Sequence, residues 1–75
     1  MARKQGRMRL TLLHSDSLAG SCPSVWETDN GWLVILGQRL TDHQGLSDLT
    51  NILPGETPMV LDRELFLRAA GRLTA

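Results

Sequence analysis

Hydrophobic and polar residues alternate near the start of this 75-residue chain. Met8, Leu10 and Leu12 are separated by single polar residues, which is the period of two typical of a strand with one buried face. The pattern predicts a strand at about residues 8–13. Turn-forming residues dominate positions 14–23 and predict a connecting loop after this strand.

A β-hairpin is predicted next. A second strand opens at Val25, and Asn30-Gly31 follows it as a strong turn signal, because both residue types tolerate the positive φ of a type I′ turn. Residues 32–36 form an unbroken apolar run. Such a run is typical of a central strand buried on both faces, or of a strand with one face under a partner. Gly37 predicts a bulge or bend after it.

A short helix is predicted in the middle of the chain. Thr41 or Asp42 is expected to cap this helix at its N-terminus. Leu46, Leu49 and Leu53 recur at spacings of three and four, so the pattern extends a helical stripe as far as Leu53.

A tight turn and an edge strand are predicted after the short helix. Pro54-Gly55 suits the middle of a type II turn, where proline presets φ and glycine accepts the left-handed position. Residues 59–61 form a brief apolar run. Pro58 confines the strand predicted there to an edge or a strand start.

The last part of the chain has the pattern of an amphipathic helix. Asp62 is expected to cap a helix over about residues 63–73. The apolar stripe comprises Leu65, Ala69 and Leu73, with Phe66 beside it. The opposite, solvent-exposed face carries Glu64, Arg68 and Arg72. Together the elements predict an α+β fold with a small antiparallel sheet, a short helix and a C-terminal helix.

A chain of this length builds only a small core. Such cores seldom contribute more than roughly 3–5 kcal/mol to the stability of the fold. Small chains are therefore usually stabilised further by a metal, disulfides or a second subunit. Cys22 is the only cysteine, which excludes an intrachain disulfide and a multi-cysteine zinc site. We therefore expect a homodimer that buries part of residues 32–36 or the stripe of Leu65, Phe66 and Leu73.

The net charge is zero, but the charges are unevenly distributed. Residues 10–64 carry all eight acids, whereas the first nine residues carry four bases and no acid: Arg3, Lys4, Arg7 and Arg9. We expect a flexible basic arm over residues 1–7 before a single domain over residues 8–75. The arm suits an electrostatic contact with nucleic acid or an acidic partner, or serves only as a solubilising terminus.

No secretory or membrane-spanning segment is expected. Polar residues from His14 onward interrupt the preceding leucines well short of a secretory core. The longest apolar run, residues 32–36, is far below the roughly 18 residues that suggest a membrane span. We expect a cytoplasmic protein.

Catalytic and metal-binding patterns are weak. His14, Ser15 and Asp16 are the residue types of a hydrolase triad, but neighbouring residues do not converge in triad order. His14, Cys22 and His43 lack the paired spacing of zinc ligands, and no glycine-rich phosphate loop is present. We expect no catalytic, metal or cofactor site, and hence no enzymatic activity.

Two tryptophans flank the predicted hairpin turn. Trp26 and Trp32 are expected to be cross-strand or diagonal neighbours. We expect one of them to fill the core and the other to be exposed as an anchor for a partner protein. With Arg68 and Arg72 of the last helix, they are the candidate partner-binding residues.

Four short motifs in the central part of the chain carry a family resemblance. The motifs are Cys22-Pro23-Ser24-Val25, Gly31 with the apolar strand to Gly37, Pro54-Gly55-Glu56-Thr57 and Val60-Leu61-Asp62-Arg63-Glu64-Leu65. They resemble a group of small uncharacterised actinobacterial proteins. The genes of that group commonly neighbour helix-turn-helix transcription regulators, and its proteins resemble the short accessory proteins of Streptomyces developmental regulation. The resemblance implies a regulatory accessory role through protein contact and assigns no catalytic residue.

The expected function is that of a small non-enzymatic regulatory or accessory protein. It acts by protein–protein contact, with a DNA-binding transcription regulator as the expected partner. The alternative is a nucleic-acid-binding protein that uses Arg3, Lys4, Arg7 and Arg9. The acidic composition of residues 10–64 argues against this alternative, because carboxylates repel phosphate.

Overall fold

The computed structural model describes residues 6–16 and 23–73, and it confirms an α+β fold with a small antiparallel sheet. Within these residues the elements are β1 (Leu10–Ser15), β2 (Ser24–Thr28), β3 (Leu33–Leu36), β4 (Gln38–Arg39), α1 (His43–Asp48), β5 (Met59–Val60) and α2 (Arg63–Ala70). The strands form a three-stranded sheet in the order β1-β2-β3 and a separate pair, β4-β5. Of the loop predicted over residues 14–23, β1 takes the first two, and residues 17–22 lie outside the described residues.

β2 is the central strand of the three-stranded sheet and pairs antiparallel with both neighbours. Its Trp26 lies opposite Leu12 of β1 and Val34 of β3. β3 is therefore an edge strand, and the prediction of a central strand buried on both faces is wrong. The exposed residues of β3 are Leu33, Ile35 and Leu36.

β1 starts and ends two residues later than predicted, and its buried residue is Leu13 rather than Leu10 or Leu12. The reason is a β-bulge. The pairing passes from Leu12 to His14 while the partner strand advances by a single residue to Val25. Leu13 and His14 thus lie opposite a single residue of β2, and Leu13 packs in the core beside Val25.

A three-residue loop closes the hairpin between β2 and β3, in place of the predicted type I′ turn. Gly31 has a φ of 90°, but Asn30 does not have a positive φ. The Thr28 N–H donates to the Trp32 carbonyl at 2.8 Å, and the Gly31 N–H donates to the Thr28 carbonyl at 3.4 Å. The Thr28 Oγ1 also accepts the Trp32 N–H at 2.7 Å. These bonds suit a type I turn followed by a left-handed glycine.

The β4–β5 pair lies outside the three-stranded sheet. The Leu40 N–H donates to the Pro58 carbonyl at 3.0 Å, which extends the pairing of the two short strands. Gly37 separates β3 from β4, at the position predicted for a bend. A Cβ at Gly37 would lie only 2.6 Å from the carbonyl oxygen of Val60, so glycine permits this close backbone approach.

α1 is a short helix with no buried residue. Asp42, one of the two predicted caps, accepts the Gly45 N–H on its Oδ2 at 2.8 Å. The helix ends at Asp48, and Leu49 already has extended backbone angles. Leu53 is therefore not part of this helix, although its spacing predicted that it would be.

A turn at Pro54-Gly55 follows, as predicted. Gly55 has a φ of 88°, and the Glu56 N–H donates to the Leu53 carbonyl at 3.0 Å. This bond closes the four-residue turn, and glycine is favoured because its third residue requires a left-handed backbone.

α2 is the longest described helix. Asp62 caps it as predicted, since its Oδ2 accepts the Leu65 N–H at 3.0 Å. The helix ends at Ala70, three residues before the predicted end. Leu73 therefore lies beyond the helix and is exposed, and so is Phe66 within it.

The hydrophobic core lies between α2 and the adjacent face of the three-stranded sheet. Leu65 and Ala69 of α2 are buried against Leu13 and Val25 of the sheet, and Leu61 packs against this cluster from its edge. Burying a leucine or valine side chain contributes about 1.5–3 kcal/mol. With four buried hydrophobic residues among those described, this core leaves much apolar surface uncovered.

Candidate functional site

Large hydrophobic side chains are exposed over much of the described surface. Thirteen of them are exposed, against four buried hydrophobic residues: Leu10, Leu12, Leu33, Ile35, Leu36, Leu49, Ile52, Leu53, Met59, Val60, Phe66, Leu67 and Leu73. Single exposed leucines are ordinary, whereas contiguous apolar patches mark interaction surfaces. Many of these residues fall into two groups, and each group is a candidate contact surface.

The first group lies on the side of the three-stranded sheet that faces away from α2. Successive residues of a strand point to opposite faces. Val25 packs against α2, so Trp26 and its pairing partners Leu12 and Val34 lie on the other side. We call this side the open face, which comprises Leu10, Leu12, Trp26, Val34 and Leu36.

Among the described strand residues, none at the register positions of the open face is charged. The other strand residues at its register positions are Ser15, Ser24 and Thr28. Ser24 and Thr28 are buried, and both make side-chain hydrogen bonds. The Trp26 Nε1–H donates to the Ser24 Oγ at 2.9 Å. The polar groups of Ser24, Trp26 and Thr28 are thus satisfied within the chain.

The second group lies in the part of the chain that supplies no buried residue, although Leu61 packs against the edge of the core. No residue between Asp29 and Glu64 is buried. We call residues 49–60 the 49–60 segment. Its exposed large hydrophobic residues are Leu49, Ile52, Leu53, Met59 and Val60.

Both tryptophans are half-buried, so the expectation of one core and one exposed tryptophan is wrong. Trp26 pairs with Val34, and Trp32 precedes Val34 by two residues. The register therefore makes the two tryptophans diagonal neighbours, which is one of the two arrangements that the sequence predicted.

Arg68 and Arg72, the other candidate partner-binding residues, lie at the C-terminal end of α2. The Arg68 Nε is 3.7 Å from the Glu64 Oε1, and both side chains are exposed, as the i,i+4 spacing predicted. Arg72 follows the end of the helix. Because α2 and the Trp26 side chain are on opposite sides of the sheet, one flat partner surface cannot contact Trp26 and Arg68 together.

The basic arm is described only in part. Arg3 and Lys4 lie outside the described residues, whereas Arg7 and Arg9 are exposed. The Arg9 N–H donates to the Asp29 Oδ1 at 3.3 Å, and the Arg9 carbonyl accepts the Asp29 N–H at 3.0 Å. Asp29 thus places a carboxylate in the shallow groove between the two arginines, where it opposes the binding of phosphate.

The three triad-type residues do not form a triad. The His14 Nε2 is 3.1 Å from the Asp16 Oδ1, so these two side chains do meet. Ser15 follows His14 in β1, and consecutive strand residues point to opposite faces. The Ser15 hydroxyl is therefore not presented to the imidazole.

The residues considered for zinc binding are not assembled in the part of the chain that is described. Cys22 lies outside the described residues, and His43 is exposed in α1. Within residues 6–16 and 23–73, no group of three His, Cys, Asp or Glu residues is placed to hold a metal ion.

Comparisons with known proteins identify no relative and therefore no partner. The chain matches no family model, no curated protein and no solved structure. Among the described residues, no helix has the length and apolar character needed to cross a membrane. The fold and surface define a small α+β protein with two exposed apolar surfaces, and the regulatory role implied by the resemblance stays a prediction.

Proposed function

We propose that the protein is a small non-enzymatic regulatory protein that binds a basic partner protein through its 49–60 segment. The proposed partner is a DNA-binding transcription regulator. The observation that supports the proposal is an apolar segment that is exposed, locally ordered and bordered by carboxylates. Exposed apolar surface with a polar rim is typical of protein interaction sites.

Local hydrogen bonds order the turn within the 49–60 segment although its side chains are exposed. The Leu53 N–H donates to the Glu56 Oε1 at 2.9 Å, and the Glu56 N–H donates to the Leu53 carbonyl at 3.0 Å. This reciprocal pair closes the turn at Pro54-Gly55. A segment that is ordered before binding loses less conformational freedom in the complex, so its apolar contacts contribute more to affinity.

The charges around the segment favour a basic partner. Residues 41–62 contain four exposed acids, Asp42, Asp48, Glu56 and Asp62, and two exposed bases flank this range: Arg39, which pairs with Met59, and Arg63. Complementary charge at the rim of an interface steers association and selects the partner. DNA-binding proteins carry basic surfaces, whereas DNA itself is repelled by carboxylates. The segment therefore suits a DNA-binding protein better than it suits nucleic acid.

The test is affinity capture from the native cell with two matched variants. Leu53→Asp and Thr50→Asp each add one carboxylate to the same exposed loop, but only Leu53→Asp removes an apolar contact. We expect the wild type and Thr50→Asp to capture the same regulator, and Leu53→Asp to lose it. The captured regulator is then titrated with its DNA in the presence and absence of the protein, and its affinity is expected to change.

Equal capture by Leu53→Asp and the wild type would contradict the proposed surface. Direct binding of random duplex DNA by the isolated protein, with an affinity that falls as salt rises and is lost when the arm arginines are replaced, would favour the nucleic-acid alternative.

A further inference from the structure

We infer that the hairpin loop between β2 and β3 is a modification site, at which the Asn30 side chain loses ammonia after attack by the backbone nitrogen of Gly31. The product is a succinimide ring, which water opens to aspartate or isoaspartate. The inference is independent of the 49–60 segment and of the regulator proposed above. It rests on the geometry of Gly31 and on the hydrogen bonds of the Asn30 side chain.

The reaction needs water as its only co-reactant. The Gly31 nitrogen gives up its proton to solvent, and its electron pair forms a bond to the Asn30 Cγ. The Cγ–Nδ2 bond then breaks, and Nδ2 takes up a proton and leaves as ammonia. Water opens the ring at either of the bonds to the Gly31 nitrogen. Breaking the bond from Cγ gives aspartate, and breaking the bond from the Asn30 carbonyl carbon gives isoaspartate.

The backbone nitrogen of Gly31 is accessible to the Asn30 side chain. Gly31 has a φ of 90°, in the left-handed region that glycine adopts readily. Apart from its chain neighbours, no heavy atom lies within 4 Å of the position that a Cβ would take. The Gly31 N–H donates to the Thr28 carbonyl at 3.4 Å, which is long for a hydrogen bond and opposes the release of this N–H only weakly.

The Asn30 side-chain amide is exposed, and its carbonyl accepts a hydrogen bond that favours attack. The Thr28 Oγ1 donates to the Asn30 Oδ1 at 2.5 Å. The same hydroxyl lies 3.1 Å from the Trp32 carbonyl, so Asn30 is the closer of its two acceptors. A donor at this oxygen stabilises the negative charge that develops there when Cγ is attacked, as the donors of an oxyanion hole do.

Asn51 provides a matched comparison within the same chain. It is exposed like Asn30, but Ile52 follows it in place of a glycine. The β-branched side chain of Ile52 crowds the backbone nitrogen that would attack. Asn30 is therefore expected to react much faster than Asn51.

The modification changes the charge and the backbone of the loop. Asp29 lines the shallow groove between Arg7 and Arg9, so a carboxylate at the next position makes this part of the surface still less attractive to phosphate. Isoaspartate also lengthens the backbone by a methylene group. It is therefore expected to disturb the hydrogen bonds between Thr28 and Trp32 that close the hairpin.

The test is incubation of the folded full chain in mildly alkaline buffer, followed by peptide mass spectrometry. Asn30 is expected to convert at least about tenfold faster than Asn51, because Gly31 does not crowd its own nitrogen as Ile52 does. The product is expected to contain isoaspartate, which direct hydrolysis of the side chain cannot form. Equal rates at the two asparagines, or aspartate without isoaspartate, would overturn the inference.

Gly31→Asn is the matched variant for the attacking nitrogen. Asparagine tolerates a left-handed backbone better than other side chains do, so the loop is expected to keep its shape. The added side chain is expected to slow conversion at Asn30 by at least about fivefold, because it crowds the nitrogen of residue 31. An unchanged rate in a variant that circular dichroism shows to be folded would overturn the proposed attack. If the variant fails to fold, the comparison of Asn30 with Asn51 in the unchanged chain decides.

Discussion

A Cβ atom added to Gly37 would lie 2.6 Å from the carbonyl oxygen of Val60. Real side chains do not approach a backbone oxygen so closely, and a backbone atom cannot move aside as the end of a flexible side chain can. Gly37 therefore permits the chain to pass from β3 into β4 while β5 lies directly beside it.

Replacing Gly37 by alanine is expected to destabilise the β4–β5 pair by about 1–3 kcal/mol, because the clash forces the two backbones apart. Hydrogen exchange of the Leu40 amide, which bonds to the Pro58 carbonyl, is expected to accelerate accordingly. Gly71→Ala is the control, since Gly71 has a φ of −66° and an added Cβ would make ordinary contacts. The control is expected to stabilise the protein by about 0.4–1 kcal/mol. Unchanged exchange at Leu40 in Gly37→Ala would contradict the predicted clash.

Truncating the core leucine of α2 is expected to unfold most of the protein. Leu65 is 0% exposed, so Leu65→Ala is expected to lower the free energy of unfolding by about 2–5 kcal/mol. This loss is comparable to the whole stability expected for so small a core. Leu67→Ala on the same helix removes a side chain that is half exposed and is expected to cost much less. Urea denaturation at one fixed protein concentration measures both. Similar midpoints for the two variants would show that Leu65 does not form the core.

The two helix caps are expected to differ in their effect on global stability. Asp62→Ala removes the cap of α2, which carries half of the core, and is expected to lower the free energy of unfolding by about 0.5–2 kcal/mol. Asp42→Ala removes the same kind of bond from α1, which has no buried residue. It is expected to speed hydrogen exchange at the Gly45 amide and to leave the global denaturation curve unchanged. An equal loss of global stability in both variants would show that α1 is coupled to the core.

Deleting residues 1–7 is expected to leave the melting temperature nearly unchanged. The described hydrogen bonds of the N-terminal region begin at Arg9, whose backbone is bonded to Asp29, and Arg9 and the partly buried Met8 are both retained in the deletion variant. If the arm binds nucleic acid or an acidic partner, the deletion weakens that binding and flattens its salt dependence. A markedly lower melting temperature would instead show that the arm is part of the fold.

Local signals in the sequence predicted most of the elements correctly. The cap at Asp62 and the turn at Pro54-Gly55 depend on neighbouring residues only and were predicted, and Asp42 was one of the two caps predicted for α1. The turn signal at Asn30-Gly31 located the hairpin of β2 and β3, and hydrophobic periodicity located α2, whose Leu65 and Ala69 are buried as the predicted stripe requires.

The sequence did not predict which side of each strand is buried. In β1 the alternation favoured Leu10 and Leu12 as the buried face, but the bulge brings Leu13 into the core instead. A bulge depends on the pairing of two strands and leaves no local signal. The same limit applies to β3, where the apolar run of residues 32–36 was compatible with either a central strand or a partner contact. The structure excludes the first of these two interpretations.

Site-specific photo-crosslinking in the native cell shows whether the 49–60 segment contacts another protein. A photoreactive amino acid at Leu53, which is exposed and apolar, is compared with one at Gln44, which is exposed and polar. We expect a specific protein adduct from position 53 and none from position 44. No adduct from position 53, or the same adducts from both positions, would contradict this expectation.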